Sequence, residues 1–471
     1  MNPPDQSVVV ARTFGCRRRP GAPGPDVEAG PVFLREGRWA KHGEGAMKIR
    51  NGIARTALML AMLLSASAIL SGCAPSPPGP LQGDGDFSAG ITARLDAALA
   101  DAITLSGSSG AIAGVWAKEG RWVASPGTTT INGNVPLSTD MRFRIGTNTT
   151  AMTCTVLLRL VDEGRVALDD RVSTYLSRIV GVSDITLEQL CQNTSGLPST
   201  SAALTAQFVN NPTRPWTPME LVSNSLASAR QGVPGGTWAQ SDMGIVLLGM
   251  ALQAATGQDW ASLYREYIFD PLHLNNTSYP SAAELDIPGA HPHGYATELT
   301  ATGQVVCGNV RDVTTLSNSL SGVAGGVIST LDDMRIWAQA LAEGKLLSTT
   351  SSTAQWAAGP GGADFTSWQS HGLGTEQIGS WRGHSGTIPG FISATLSDPI
   401  SGLTVVVMLN NSSAGSAFAR TLAQRLVTIA YTNPAAPTAK EPPPPLPWSE
   451  QQTVATLQAA AVCQPTPAPP G

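Results

Sequence analysis

Two apolar hairpin patterns, one near each end of the chain, limit the fold more than any other feature of this sequence. Ala111 to Ala117 and Arg121 to Ala124 read as two β-strands around Glu119-Gly120. Phe391 to Leu396 and Leu403 to Leu409 read as two more, turning at Asp398-Pro399. Helical periodicity runs through Ile91 to Leu105 and from about Ala414 to Tyr431, and the long middle reads as mostly helical. Strands at both ends with helices between predict one antiparallel sheet assembled from the two chain ends and flanked by terminal helices. A helical subdomain is then inserted in the middle, so the expected class is α+β.

Ahead of this body lies an export signal. Met47, Lys48, Arg50 and Arg55 lead into the apolar run Ala57 to Leu70, which closes on Leu70-Ser71-Gly72-Cys73. The run is shorter than the roughly 20 apolar residues a bilayer span requires. Small residues precede the cysteine, as cleavage before an acylated Cys requires. The expectation is a lipoprotein held by a lipid on Cys73 at the outer face of a bacterial cell membrane. Residues 1-46, with Arg17, Arg18 and Arg19, precede a complete signal and read as a misassigned start or an extension, translation starting at Met47. The expected organisation is the signal at 47-72, a Pro- and Gly-rich stalk at 73-90, the body at 91-432, and a Pro-rich tail at 433-471. That tail carries a short helix with a capping box at Ser449 and Gln452.

Charged residues make up only 13% of the chain and the formal net charge is -5, so no basic face advertises nucleic acid and none is expected as a partner. Setting aside Cys16 and Cys73, four cysteines remain: Cys154, Cys191, Cys307 and Cys463. An exported protein can pair them in three ways, and the sequence does not choose. No metal spacing occurs among them, and His291 with His293 reads as a loop pair, so neither metal nor cofactor is expected.

The stretch Phe143-Arg-Ile-Gly-Thr-Asn-Thr-Thr-Ala-Met-Thr, running into Leu158-Arg-Leu-Val-Asp-Glu-Gly, resembles the nucleophile region of class C β-lactamases and D-Ala-D-Ala carboxypeptidases. Ile185-Thr-Leu-Glu-Gln-Leu, Thr194-Ser-Gly-Leu, Pro234-Gly-Gly-Thr and Gly244-Ile-Val-Leu-Leu-Gly resemble the segments that follow. His371-Gly-Leu-Gly and Gly383-His-Ser-Gly-Thr-Ile-Pro-Gly-Phe resemble the strand that lines the active site. The likeness covers roughly Ile91 to Tyr431 with its segments in order. It implies the β-lactamase/transpeptidase fold, with a cleft between an α/β sheet domain and a helical domain.

The same resemblance implies a catalytic set: S-x-x-K at a helix start, Tyr-x-Asn on a loop, Lys-Thr-Gly or His-x-Gly on a strand, and two backbone N–H groups as oxyanion hole. Carried over residue by residue, S-x-x-K becomes Thr147-Asn-Thr-Thr150, and Tyr-x-Asn becomes Gln240-Ser241-Asp242. His384-Ser385-Gly386 keeps the third motif. Thr147 and Thr387, beside Gly386, stand where the oxyanion donors belong. A weak alcohol without an adjacent base is a poor nucleophile.

Two readings stay open. In one, the cleft is impaired for hydrolysis and binds a peptidoglycan-like peptide or a cell-envelope protein. Thr147 then caps its helix, and Thr150 fills the space a lysine would take. In the other, Thr147 attacks D-amino-acid peptides or esters with His384 or Asp242 as base. Asp242 could instead pair with a backbone amide or hold a ligand's ammonium group. Ser195 and Ser385 lie outside any G-x-S-x-G and read as structural, as do Trp356, Trp368 and Trp381, for which packing is the common fate. Cys154, on the helix after Thr147, reads as a buried thiol or a disulfide.

Overall fold

A computed structural model of the chain describes residues 85–118, 120–200, 202–362, 365–431 and 445–463. The export signal, Cys73, most of the stalk and much of the Pro-rich tail lie outside the described residues. Among the described residues, no helix is long and apolar enough to cross a membrane.

A seven-stranded antiparallel sheet unites the two ends of the chain. Its strands run, edge to edge, Gly120–Ala124, Ala111–Ala117, Thr404–Leu409, Phe391–Ser397, Trp381–Ile388, Glu376–Ile378 and Gln369–His371. Third in that order is the run Thr-Val-Val-Val-Met-Leu, whose every residue is buried. Because successive side chains alternate across a sheet, Val405, Val407 and Leu409 enter a core with Leu95, Leu99, Phe418 and Leu422 of the terminal helices. Val406 and Met408 enter the larger core on the other side, which holds Met152 and Trp337. Burial on both faces explains why this strand reads as a continuous apolar run instead of an alternating one.

The terminal helices Ala89–Ser106 and Gly415–Tyr431 cover one face. A third helix, Glu450–Ala459, adds to that layer and begins with the predicted capping box at Ser449 and Gln452. The two chain ends are also tied by Asn410, which is fully buried. Its Oδ1 accepts from the Ser109 and Gly110 N–H groups, and its Nδ2 donates to Ser109 Oγ and the His293 carbonyl.

On the other face the helix Thr149–Asp162 runs through the interior, with eleven of its residues buried. Its threonines are apolar enough to be buried and still hold the neighbouring chain. Thr149 Oγ1 accepts from the Val327 N–H, Thr150 Oγ1 donates to the Ala324 carbonyl, and Thr153 Oγ1 donates to the Val323 carbonyl. One departure from the sequence reading is a hairpin in the middle of the chain, Tyr295–Leu299 with Val305–Asp312. Its two strands pair with each other, and the second is almost wholly exposed, so no buried periodicity announced it.

Of the three possible cysteine pairings, the structure has Cys154–Cys191 and Cys307–Cys463. The first joins the buried helix to the short helix Leu187–Cys191, which ends two residues before Asn193. The second joins the exposed hairpin to the segment after the last helix. The Cys154–Cys191 bridge spans 37 residues, for which loop-closure entropy predicts about 3–4 kcal/mol of stabilisation. A Cys154→Ala/Cys191→Ala double variant is therefore expected to lose roughly that amount in urea denaturation. Equal midpoints for variant and parent would contradict it.

Candidate active site

The site lies where the strand Trp381–Ile388 meets the turn that starts the buried helix. The approach is that of two backbones. A Cβ on Gly386 would lie 2.2 Å from the Ile145 carbonyl oxygen and 3.0 Å from the Thr147 nitrogen, and one on Gly146 would lie 2.6 Å from the Thr387 carbonyl carbon. Gly146 also has φ of +57°, a conformation glycine adopts without strain. Ser393 of the next strand locks the contact by accepting from Asn148 Nδ2 and donating to the Ile145 carbonyl, both at 2.7 Å.

Thr147 does not cap the helix as the sequence reading expected. It sits in a 3-10 turn, Gly146–Asn148; the residue preceding the helix is Asn148, whose side chain makes no cap. The Thr147 hydroxyl bridges to the strand instead, donating to the Ser385 carbonyl at 3.3 Å and accepting from the Thr387 N–H at 3.2 Å. Its proton is thus directed at a carbonyl, and one of the two expected oxyanion donors is engaged by Thr147 itself. The Thr150 hydroxyl is occupied with Ala324.

The second motif is held by Asn193. Its Oδ1 accepts from the Ser241 N–H and its carbonyl from the Ala239 N–H. Ser241 then caps the helix Asp242–Thr256 through the Gly244 N–H, which sets Asp242 in the first turn. Gln240 Nε2 donates to Asp242 Oδ1 at 3.1 Å. Burial pushes the Asp242 carboxyl above its ordinary range, against the opposing pull of the Gln240 hydrogen bond and of His384.

His384 Nδ1 lies 2.7 Å from the Ser385 carbonyl. A carbonyl only accepts, so a proton is assigned to Nδ1.

Four contributors lie outside the motifs read from the sequence, namely Asn193, Trp238, Glu376 and Arg420, whereas His371 lies in one of those motifs. Glu376, 7% exposed, accepts from Ser385 Oγ at 2.8 and 3.1 Å and pairs with Arg420 at 3.6 Å. Burial raises its carboxyl, but Arg420, the two histidines and the Ser385 hydroxyl outweigh burial and hold it below the ordinary range. His371 is packed between Trp238 and Phe365, with ring centroids 4.4 and 4.7 Å away. Burial, reinforced by the charges of His384 and Arg420 against that of Glu376, lowers it to about 4. The Trp238 indole N–H is buried with no hydrogen-bond partner. Glu376 stands in a short polar stretch, Thr375-Glu376-Gln377, that carries no sequence signal of burial, and its partner Arg420 lies on a helix distant in the chain.

Thr147, Thr150, Gln240, Asp242 and His384 line one polar cavity together with Asn193, Trp238, His371 and Glu376. Its volume is about 20 Å³, room for roughly one water. Asp242 and Thr387 also line a second, adjoining cavity of about 230 Å³, walled by Phe208, Val209, Leu299, Val305, Leu320 and Ile388. Ser195 accepts from the Leu197 N–H and stays outside both cavities. Trp356 and Trp381 are buried and Trp368 packs against Trp448. His291 lies against the Gly289 carbonyl and His293 against Asp312. Among the described residues no cluster of His, Cys, Asp or Glu is arranged to hold a metal ion.

Residues 95–429 match the Beta-lactamase family. The chain belongs to that family. It is 30% identical over 222 residues to the D-alanyl-D-alanine-carboxypeptidase/endopeptidase AmpH of Escherichia coli, covering 46% of this chain and 52% of that protein. It is 26% identical over 279 residues to the putative penicillin-binding protein PbpX of Bacillus subtilis, covering 59% and 63%. The match thus spans about half to two thirds of the length of these relatives. Among solved structures, a D-stereospecific amidohydrolase from Streptomyces superposes with a TM-score of 0.60 at 28% identity, over 68% of this chain and 94% of that one. The D-amino acid amidase of Ochrobactrum anthropi SV3 gives 0.61 at 23% identity, over 72% and 98%, and shares the fold. The expected β-lactamase/transpeptidase-like fold is therefore the one this chain adopts.

The low pKa of His371 carries a pH dependence. The unfolded imidazole titrates near 6.5 and the folded one near 4. The unfolded state therefore binds the proton first as pH falls. The stabilisation from neutral His371 is complete above about 6.5 and drains away between 6.5 and 4. His371→Phe keeps the aromatic stack and removes the titration, so its Tm is expected to fall less over that interval than the parent's. Parallel Tm–pH curves would refute the assignment.

Proposed function

We propose that this family member is a lipid-anchored envelope protein whose cleft holds a peptidoglycan-like peptide without hydrolysing it. The observation that carries this reading is the state of the nucleophile position. Catalysis of the family type needs an alcohol whose proton passes to an adjacent base and an oxyanion hole free to receive a developing charge. Here the Thr147 hydroxyl donates to the Ser385 carbonyl and accepts from the Thr387 N–H, so the hydroxyl proton and one of the two oxyanion donors are taken up by internal bonds. Threonine's methyl further stiffens χ1 and crowds attack.

The envelope location rests on the lipobox Leu70-Ser71-Gly72-Cys73 and the stalk after it. A peptide ligand is favoured by that location and by kinship with a carboxypeptidase and a D-stereospecific amidohydrolase.

Incubating the protein with a fluorescent penicillin and reading intact mass tests the chemistry. The expected result is no covalent adduct. An adduct that disappears in Thr147→Ala would establish the rival reading, a hydrolase using Thr147. Anchoring is tested separately by metabolic labelling with a clickable palmitate analogue. The parent is expected to carry the label and sediment with membranes, and Cys73→Ala to lose both; label retained by Cys73→Ala would overturn it.

A further inference from the structure

Resting on the reading of the cleft as a non-covalent binding site, we infer that its ligand presents a free ammonium group next to an apolar side chain, with the ammonium on Asp242 and the side chain in the adjoining 230 Å³ cavity. Asp242 is the hinge of this arrangement because it lines both the small polar cavity and the larger one. On the larger side the walls are Phe208 and Val209 from one helix, Leu299 and Val305 from the exposed hairpin, Leu320, and Ile388 at the end of the site strand. Thr387, Ser412 and Ser413 supply a few polar atoms there. Such a surface takes an aromatic or branched aliphatic group and orients it by few polar contacts.

Charge decides the other end. Among the described residues, neither cavity is lined by a lysine or an arginine. The cation beside the site, Arg420, is paired with Glu376, and that carboxylate has Ser385 as well. Asp242 has no lysine or arginine against it among the residues lining the two cavities, and the titratable group that faces it is His384. Its hydrogen-bond partner is the neutral amide of Gln240, and a carboxylate withdrawn from water is costly unless it is fully paired. A ligand ammonium would relieve that cost through a charge-assisted hydrogen bond. A ligand carboxylate would instead meet like charge. The site therefore selects a cationic end over an acylated or anionic one.

Calorimetric titration of the detergent-solubilised full-length protein, using both enantiomers of phenylalaninamide, tests this against two probes of similar apolar body: N-acetylphenylalaninamide and 3-phenylpropionate. The better phenylalaninamide enantiomer is expected to bind at least tenfold more tightly than either, about 1.4 kcal/mol. Asp242→Asn, nearly isosteric, is expected to abolish that preference while its melting curve stays cooperative. Phe208→Ala should weaken all probes alike and leave the preference intact. If the acetylated probe binds as well as the free amine, or the preference persists in Asp242→Asn, the inference is overturned. These outcomes are separable from the reading of the cleft as non-catalytic: a penicillin adduct would overturn that reading alone, and loss of the ammonium preference without any adduct would overturn this one alone.

Discussion

The contact between the Gly386 strand and the Gly146–Thr147 turn is what the rest of the molecule is organised around. Two backbones meet so closely there that a single added methyl on either glycine would strike main-chain atoms. Polypeptide segments far apart in the chain reach such proximity only when both are held rigidly from behind. The strand is held by a sheet buried on both faces, and the turn by a buried helix whose threonines bond the 323–327 segment. Ser393 and Asn148 close the junction with two short hydrogen bonds. Interiors packed at this density transmit small changes in volume directly, so the site inherits its geometry from the sheet and the helix together.

That geometry also explains why the nucleophile position is quiet. A hydroxyl placed at this junction faces the Ser385 carbonyl and the Thr387 N–H, and a Thr147 with no base takes both as partners. The polar groups that remain sort into two sets. Glu376, Arg420 and Ser385 neutralise one another within the protein. Asp242, positioned by Asn193 and Ser241 at the mouth of a helix, faces two cavities with the neutral amide of Gln240 bonded to it and His384 across the smaller one. A buried ion pair and a half-buried single carboxylate have different consequences: the first is satisfied at home and the second is satisfied from outside.

Much of the frame was legible in the residues. The strand and helix patterns at both ends of the chain are periodic and long, and the sheet they predicted formed, because burial of apolar faces is written directly in their spacing. The ordered segments around Thr147, Gln240-Ser241-Asp242 and His384 were likewise readable and converge on one cavity. The middle hairpin was not, since its second strand faces water and carries no core pattern. Glu376, Trp238 and Arg420 were missed because each joins the site through partners distant in sequence. Thr147 was misread as a cap because the turn before the helix is a 3-10 turn closed by the strand opposite, a constraint that does not exist within the local sequence.

The sequence by itself determined the fold class, the order of the family's segments and the loss of the lysine and tyrosine, because these depend on residue identity and on periodicity along the chain. Only the tertiary structure decided which cysteines pair, where the Thr147 hydroxyl sends its proton, which carboxylate is neutralised and which is left facing the cleft. Those outcomes depend on distances between residues far apart in the chain, and such distances are set by how the sheet and helices pack.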